Sequence, residues 1–325
     1  MNSFAYATPR TVEEAVDLLA SREEAMVMAG GVDLVHEMKR GIRKPSLVVH
    51  LDRIPGLASI DSTSGSLSIG PLVRIRELET SPLVATHAPL LAAAAREVAT
   101  PQLRAMGTVA GNILQRPQCW YYRDPDSHCL RKGGEHCHAV AGDNRYHAVL
   151  GGGPCHIVCP SDLAPALVAL GAEVTVHGPA GERPMPIHEL FVGPRVDPHN
   201  EHVLRRDEVI TAIAVPARED AVSVFLKARE RTAWDFALAS VSAVVSRDAD
   251  GTVTRAKIVL GGVAPNPWDA RAAADALVDR RLDEDAIRDA AEGAVAGARA
   301  LRGNAYKIDL ARNVVAEALR SIETS

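Results

Sequence analysis

Five cysteines fall between Cys119 and Cys159, spaced Cys119-x9-Cys129-x7-Cys137-x17-Cys155-x3-Cys159, and the rest of the 325-residue chain has none. Around them, from residue 115 to about 160, the hydrophobic period disappears and prolines and glycines accumulate. Five histidines join them: His128, His136, His138, His147 and His156. A stretch this long without regular structure is usually functional or held by a bound group. An odd, tightly grouped set of thiols is a poor disulfide framework. Thiolates are soft anionic donors, so four of the five suit an iron–sulfur cluster. His136, His138 and His156 beside them suit zinc. Inert buried thiols are the third reading. The spacing matches no short ferredoxin run, so spacing leaves the three open.

The flanks are regular. Thr11 and Glu14 form a capping-box pattern that opens a helix over Val12, Ala15, Val16, Leu18 and Leu19. Met26-Val27-Met28 and Leu47-Val48-Val49-His50 read as short buried strands, which gives a small α/β unit over residues 1–55. A second unit, 56–217, contains the strand Leu67–Gly70, an alanine-dense helix from Leu90 to Ala99 closed by Pro101, the irregular stretch, a helix at Leu163–Leu170 and a strand at Glu173–Val176. A third unit, 218–325, has strand candidates at Val222–Leu226, Ser240–Val245 and Ala256–Leu260, followed from Ala270 by a nearly continuous amphipathic helical tail. Strands followed by helices imply an α+β arrangement.

Charge and composition exclude several classes. Hydrophobic residues at 47 % suffice for a real core, which argues against general disorder. A net charge of −5 with 4 % aromatics argues against a nucleic-acid surface. No apolar run is long enough to span a membrane. The first ten residues lack a basic start followed by an apolar stretch, so no secretory signal is expected and the cytoplasm is the default compartment. A twin-arginine signal on a partner subunit would change that to the periplasm.

Two glycine loops offer a second chemistry. Ala29-Gly30-Gly31 runs into a helix, and Gly107-Thr108-Val109-Ala110-Gly111-Asn112 makes another turn. Backbone N–H groups in such turns approach phosphate oxygens closely because no Cβ intervenes. Neither loop has the spacing of a dinucleotide fingerprint or a P-loop, so each alone reads as a structural turn.

Taken together, these pieces resemble the FAD-binding medium subunit of the xanthine dehydrogenase and molybdenum hydroxylase superfamily. The resemblance rests on Ala29-Gly30-Gly31-Val32-Asp33-Leu34, Gly107–Asn112, Pro160-Ser161-Asp162-Leu163, Lys227 with Arg231 and Asp235-Phe236-Ala237, and Leu260-Gly261-Gly262-Val263, in family order along the whole chain. It implies a two-part FAD-binding domain of the PCMH type followed by a CO dehydrogenase flavoprotein C-terminal-like α+β domain. It implies FAD held by Met28, Ala29, Gly30, Gly31, Val32, Asp33 and Leu34 and by Thr108, Gly111 and Asn112. Asp162 would lie near the flavin's sugar-alcohol chain or ring, and Lys227 would approach the isoalloxazine. Val32 stands where relatives commonly have threonine, and Ala110 where they often have glycine.

The cysteine stretch resembles the insertion in flavin subunits of 4-hydroxybenzoyl-CoA reductase and of the YagTSR-type aldehyde oxidoreductase, which carry an additional 4Fe–4S cluster. By that resemblance Cys119, Cys129, Cys137 and Cys155 are the ligands and Cys159 is not. The implied partners are a large subunit with a molybdenum cofactor, which oxidises the substrate, and a small subunit with 2Fe–2S clusters, in a heterotrimer that exchanges electrons with an external acceptor. No substrate-oxidising residue is implied on this chain. Alternatives are a reductase that drives electrons inward, a zinc-stabilised flavoprotein acting alone, and a scaffold that has lost its flavin.

Overall fold

The computed structural model describes residues 1–63, 65–218 and 220–324. Three sheets organise the chain. The first is parallel, with β1 (Ala5–Ala7), β2 (Ala25–Met28) and β3 (Leu47–His50) in the order β1-β3-β2. The helix Val12–Ala20 connects the first two and buries Ala15, Val16 and Leu19. Its Thr11 hydroxyl accepts from the Glu14 N–H at 3.1 Å, as the capping pattern predicts. The Glu14 carboxylate, however, accepts from the N–H of Arg10 rather than of Thr11.

The second sheet is antiparallel, with β4 (Ile60–Thr63), β5 (Ser66–Ile69), β6 (Glu173–Gly178), β7 (Gly181–Pro186) and β8 (Val209–Pro216) in the order β4-β5-β8-β6-β7. The expected helix from Leu90 to Ala99 is shorter, Pro89–Arg96. Pro101 does not merely end it. Pro101 is the first residue of a new helix, Pro101–Met106, because its missing N–H costs nothing in a first turn. All eight residues of Leu163–Leu170 are buried, so this helix has no polar face.

The third sheet is antiparallel, with β9 (Ala221–Ala228), β10 (Ala239–Arg247), β11 (Val253–Gly261) and β12 (Trp268–Asp269) in the order β12-β11-β10-β9. Every residue of β10 from Ala239 to Ser246 is buried. The cause is cover on both faces. The C-terminal helices lie on one side and Leu163–Leu170 on the other, so the strand shows no apolar–polar alternation. The helical tail is three pieces, Arg271–Asp275, Glu284–Ala294 and Tyr306–Glu323, rather than one run. Among the described residues no helix is long and apolar enough to cross a membrane.

The stretch between Ile113 and Leu163 has little regular structure of its own: one helical turn at Trp120–Arg123 and a 3-10 turn at Leu130–Lys132. It is tied down from outside. Lys307, fully buried at the start of the last helix, donates to the carbonyls of Tyr146 (3.0 Å), His147 (3.3 Å) and Gly262 (2.5 Å). Asn304 Nδ2 adds bonds to the carbonyls of His147 and Ala148. The third unit thereby holds the cysteine stretch by its backbone. Replacing Lys307 by Met fills similar space but strips an ammonium from these buried acceptors. At roughly 1–3 kcal/mol per unsatisfied group, Lys307→Met should lower the urea midpoint by the equivalent of several kcal/mol, and unchanged unfolding would refute this account of the tether.

Candidate functional site: a cleft and an adjoining cysteine cavity

The loop after β2 is built for close approach. A Cβ at Gly30 would lie 2.2 Å from the carbonyl oxygen of Met106, and Gly31 has φ +71°, a conformation that side chains disfavour. Gly31 is also the N-cap of the helix Val32–Lys39, and no side chain caps that end. Its first N–H groups are therefore left for a ligand. The second loop differs. Thr108 caps the short helix Val109–Ile113 through Oγ1, which accepts from the Gly111 N–H at 3.1 Å, so this hydroxyl is already committed.

The two loops face each other across a cleft of about 740 Å³, well inside the range of pockets that enclose a sizeable cofactor. Met28, Ala29, Gly30, Gly31, Val32, Asp33, Leu34, Thr108, Gly111, Asn112 and Asp162 all line it. Lys227 does not. Its side chain is 1 % exposed and lies behind the wall, where Nζ pairs with Asp162 Oδ2 at 2.7 Å and donates to the carbonyl of Glu97 at 2.9 Å. Burial raises the Asp162 carboxyl from its ordinary range, and the Lys227 ammonium opposes this. Asn112 Oδ1 accepts from the Ser161 hydroxyl at 2.6 Å, which fastens the second loop to the start of the helix Leu163–Leu170.

Other cleft residues carry weaker sequence signals. Ala99 and Trp234, both with positive φ (45° and 56°), meet through a Trp234 N–H to Ala99 carbonyl bond of 3.3 Å at the cleft edge. Arg116, Gln118, His202, Arg205 and Arg206 line the wall. Burial pushes the His202 imidazole down to about 4, with Arg116 and Arg43 adding to the effect. A charged pair such as Arg205-Arg206 was a legible signal; the strained Trp234 backbone was not, because it arises from tertiary contacts.

Asp33, on the first glycine loop, reaches into the irregular stretch. Its Oδ1 accepts from Arg123 Nη2 at 2.7 Å and its Oδ2 from the Arg116 N–H at 2.8 Å. Glu37, one turn on, accepts from the Tyr122 hydroxyl at 2.6 Å, and that hydroxyl receives Arg116 Nε at 3.0 Å. Behind this wall lies a second, much smaller cavity of about 10 Å³, room for one water at most. Cys119, Cys129, Cys137 and Cys155 all line it, with Arg131, His138 and His147. The Cys137 thiol donates to the Cys155 sulfur, which holds Cys155 toward thiolate at about 5 and raises Cys137. Burial pushes Cys119 up to about 11. His147 Nε2 lies 3.2 Å from Cys119 Sγ. Cys159 stands apart in the hydrophobic core. Among the described residues, no three His, Cys, Asp or Glu side chains converge on one ion-sized point. The four thiols line one cavity and match the donor set of a four-iron cluster, one thiolate per iron, while the space between them as it stands holds no more than a water.

Residues 2–218 match the FAD binding domain in molybdopterin dehydrogenase, and residues 224–322 match the CO dehydrogenase flavoprotein C-terminal domain. The chain belongs to the FAD-binding medium subunits of the xanthine dehydrogenase family of molybdenum hydroxylases. It is 33 % identical over 323 residues to the aldehyde oxidoreductase FAD-binding subunit PaoB of Escherichia coli (strain K12), covering 98 % of each chain. It is 29 % identical to the nicotine 6-hydroxylase medium subunit of Paenarthrobacter nicotinovorans, covering 91 % of this chain and 86 % of that one. Its fold superimposes on carbon monoxide dehydrogenase from Hydrogenophaga pseudoflava with a TM-score of 0.78 and 29 % identity, covering 98 % of this chain and 96 % of the other. As a medium subunit it is an FAD-dependent oxidoreductase component with the α+β architecture of that family.

In this flavin subunit the Lys227–Asp162 pair is structural to the cleft wall. Removing one partner leaves a buried charge uncompensated, at roughly 3–5 kcal/mol. Lys227→Met should therefore destabilise strongly, and adding Asp162→Asn should recover a large part of the loss in a double-mutant cycle followed by denaturant unfolding. Simple additivity of the two changes would mean that the pair is not coupled.

Proposed function

We propose that this chain is the electron-transfer subunit of a heterotrimeric molybdenum hydroxylase, that it binds FAD in the cleft, and that its cysteine stretch carries a 4Fe–4S cluster. The observation that carries the reading is convergence. Four cysteines spread over Cys119 to Cys155 line one cavity, and Cys119 directly follows Gln118, which lines the cleft. Two redox groups in these two spaces would be neighbours, because consecutive residues of the chain line the one and the other.

The chemistry of the wall suits FAD. The uncapped helix end at Gly31 offers N–H donors to a pyrophosphate. Met28–Leu34 and Thr108, Gly111 and Asn112 would hold the cofactor, and Asp162 would stand at the inner wall. Arg206 is exposed at the cleft and has no ion-pair partner among the described residues, so its charge is free for a phosphate. Lys227 would act on the flavin through Asp162 rather than by contact. Bound FAD supplies a centre that accepts electrons in pairs or singly, and the surrounding residues position it and exclude water.

Substrate oxidation is assigned to a partner subunit with a molybdenum cofactor, and delivery of electrons to a partner with 2Fe–2S clusters. Flow outward through FAD to an external acceptor is the favoured direction, with an aldehyde or N-heterocycle as the substrate class. The names of relatives support the substrate class: an aldehyde oxidoreductase at 33 % identity and a nicotine hydroxylase at 29 %.

The test is an absorption spectrum with iron, zinc and acid-labile sulfide analysis on the full chain purified without oxygen. Flavin bands with about four irons and four sulfides per chain are expected. Cys137→Ser should lose the iron and Cys159→Ser should keep it. Flavin with zinc and no sulfide would overturn the cluster, and a colourless protein that takes up no added FAD would overturn the flavin reading.

A further inference from the structure

Arg131 is buried with part of its guanidinium unpaired by any oxygen. It stands on the 3-10 turn Leu130–Lys132 and its side chain is 1 % exposed. Nη1 pairs with Glu201 Oε1. Nε and Nη2 are buried without a hydrogen-bond partner. Leaving buried donors unpaired costs roughly 1–3 kcal/mol per group and more when the group is charged. The same side chain lines the four-cysteine cavity. The guanidinium already favours the Cys155 thiolate beside it, and charged N–H groups with no oxygen acceptor at a space walled by thiols fit an occupant rich in sulfur and negative charge.

The other end of the contact leads to the flavin cleft. Glu201 Oε2 pairs with Arg116 Nη1 at 2.8 Å, and Arg116 lines the cleft. Arg131–Glu201–Arg116 is thus a buried chain of charges that crosses the wall between the two spaces. Around it four guanidiniums (Arg43, Arg116, Arg123, Arg131) face three carboxylates (Asp33, Glu37, Glu201), so the wall carries net positive charge.

We propose that Arg131 sets the reduction potential of the cluster in the cysteine cavity by donating Nε and Nη2 to its sulfurs, and that Glu201 moderates that effect by sharing the guanidinium charge. The proposal rests on the 4Fe–4S reading above. Reduction adds one electron to the cluster and breaks no bond. Positive charge and N–H···S bonds stabilise the more negative reduced form and so raise the potential. Removing the guanidinium lowers it, and removing the Glu201 charge raises it.

The experiment is a dithionite titration of the full chain with its cluster, followed by electron paramagnetic resonance, on wild type, Arg131→Gln and Glu201→Gln. Arg131→Gln should disfavour reduction by about tenfold, which is about 59 mV for a one-electron couple. Glu201→Gln should shift the potential in the opposite direction. An Arg131→Gln protein that keeps its iron at an unchanged potential would overturn the proposal, as would shifts of the same sign in both variants. If Arg131→Gln fails to hold a cluster, Glu201→Gln decides: an upward shift supports the proposal and no upward shift overturns it. A wild-type chain without iron refutes the cluster reading itself, before any variant is compared.

Discussion

The carboxylate of Asp33 fixes the relation between the two halves of the site. It sits in the first turn after the glycine loop and accepts both the Arg116 N–H and the Arg123 guanidinium. One side chain therefore ties a sterically constrained glycine loop to the stem of the irregular segment. Half-buried at the cleft and paired through both oxygens, this carboxylate couples the loop to the stem by charge-assisted hydrogen bonds. The Tyr122 hydroxyl, Glu37 and Arg116 extend the same contact into a closed network. The cleft keeps its shape, and the cysteine stretch keeps its place, because both are fastened to the same short run of residues.

This arrangement answers how fifty residues with almost no secondary structure hold a defined conformation. A loop without regular backbone pairing must find partners for its polar groups elsewhere. Here the partners are the segment's own Arg123, which donates to the Pro117 and Arg116 carbonyls, with Arg40 on one side and Lys307 with Asn304 on the other. The segment is clamped between the FAD-binding unit and the C-terminal sheet. Its inner surface brings together four thiols, Arg131, His138 and His147.

Much of this was legible in the sequence where a local rule governs. Thr11 as a cap, the helix after Gly31, the strands of the third unit and the separation of Cys159 from its neighbours follow from capping, glycine chemistry, periodicity and family spacing. What was not legible is set by tertiary contact. Pro101 reads as a stop but serves as a start, because the two signals use the same missing N–H. The C-terminal tail reads as nearly all amphipathic helix, since alanine-rich composition masks the breaks between its three helices. Lys227 reads as a residue facing the cofactor, yet its ammonium is drawn to the buried Asp162 and the Glu97 carbonyl. Arg116, Arg131 and Glu201 are ordinary charges in the sequence, separated by up to 85 positions, and acquire meaning only when the fold buries them together.

We propose two redox groups on this one chain, FAD in the cleft and a cluster in the cysteine cavity. Counting electrons tests it most directly. Anaerobic reductive titration of the full chain, loaded with its cofactors, should take up about three electrons per chain, two on the flavin and one on the cluster. Uptake of about two, with only the flavin bands bleaching, would contradict it.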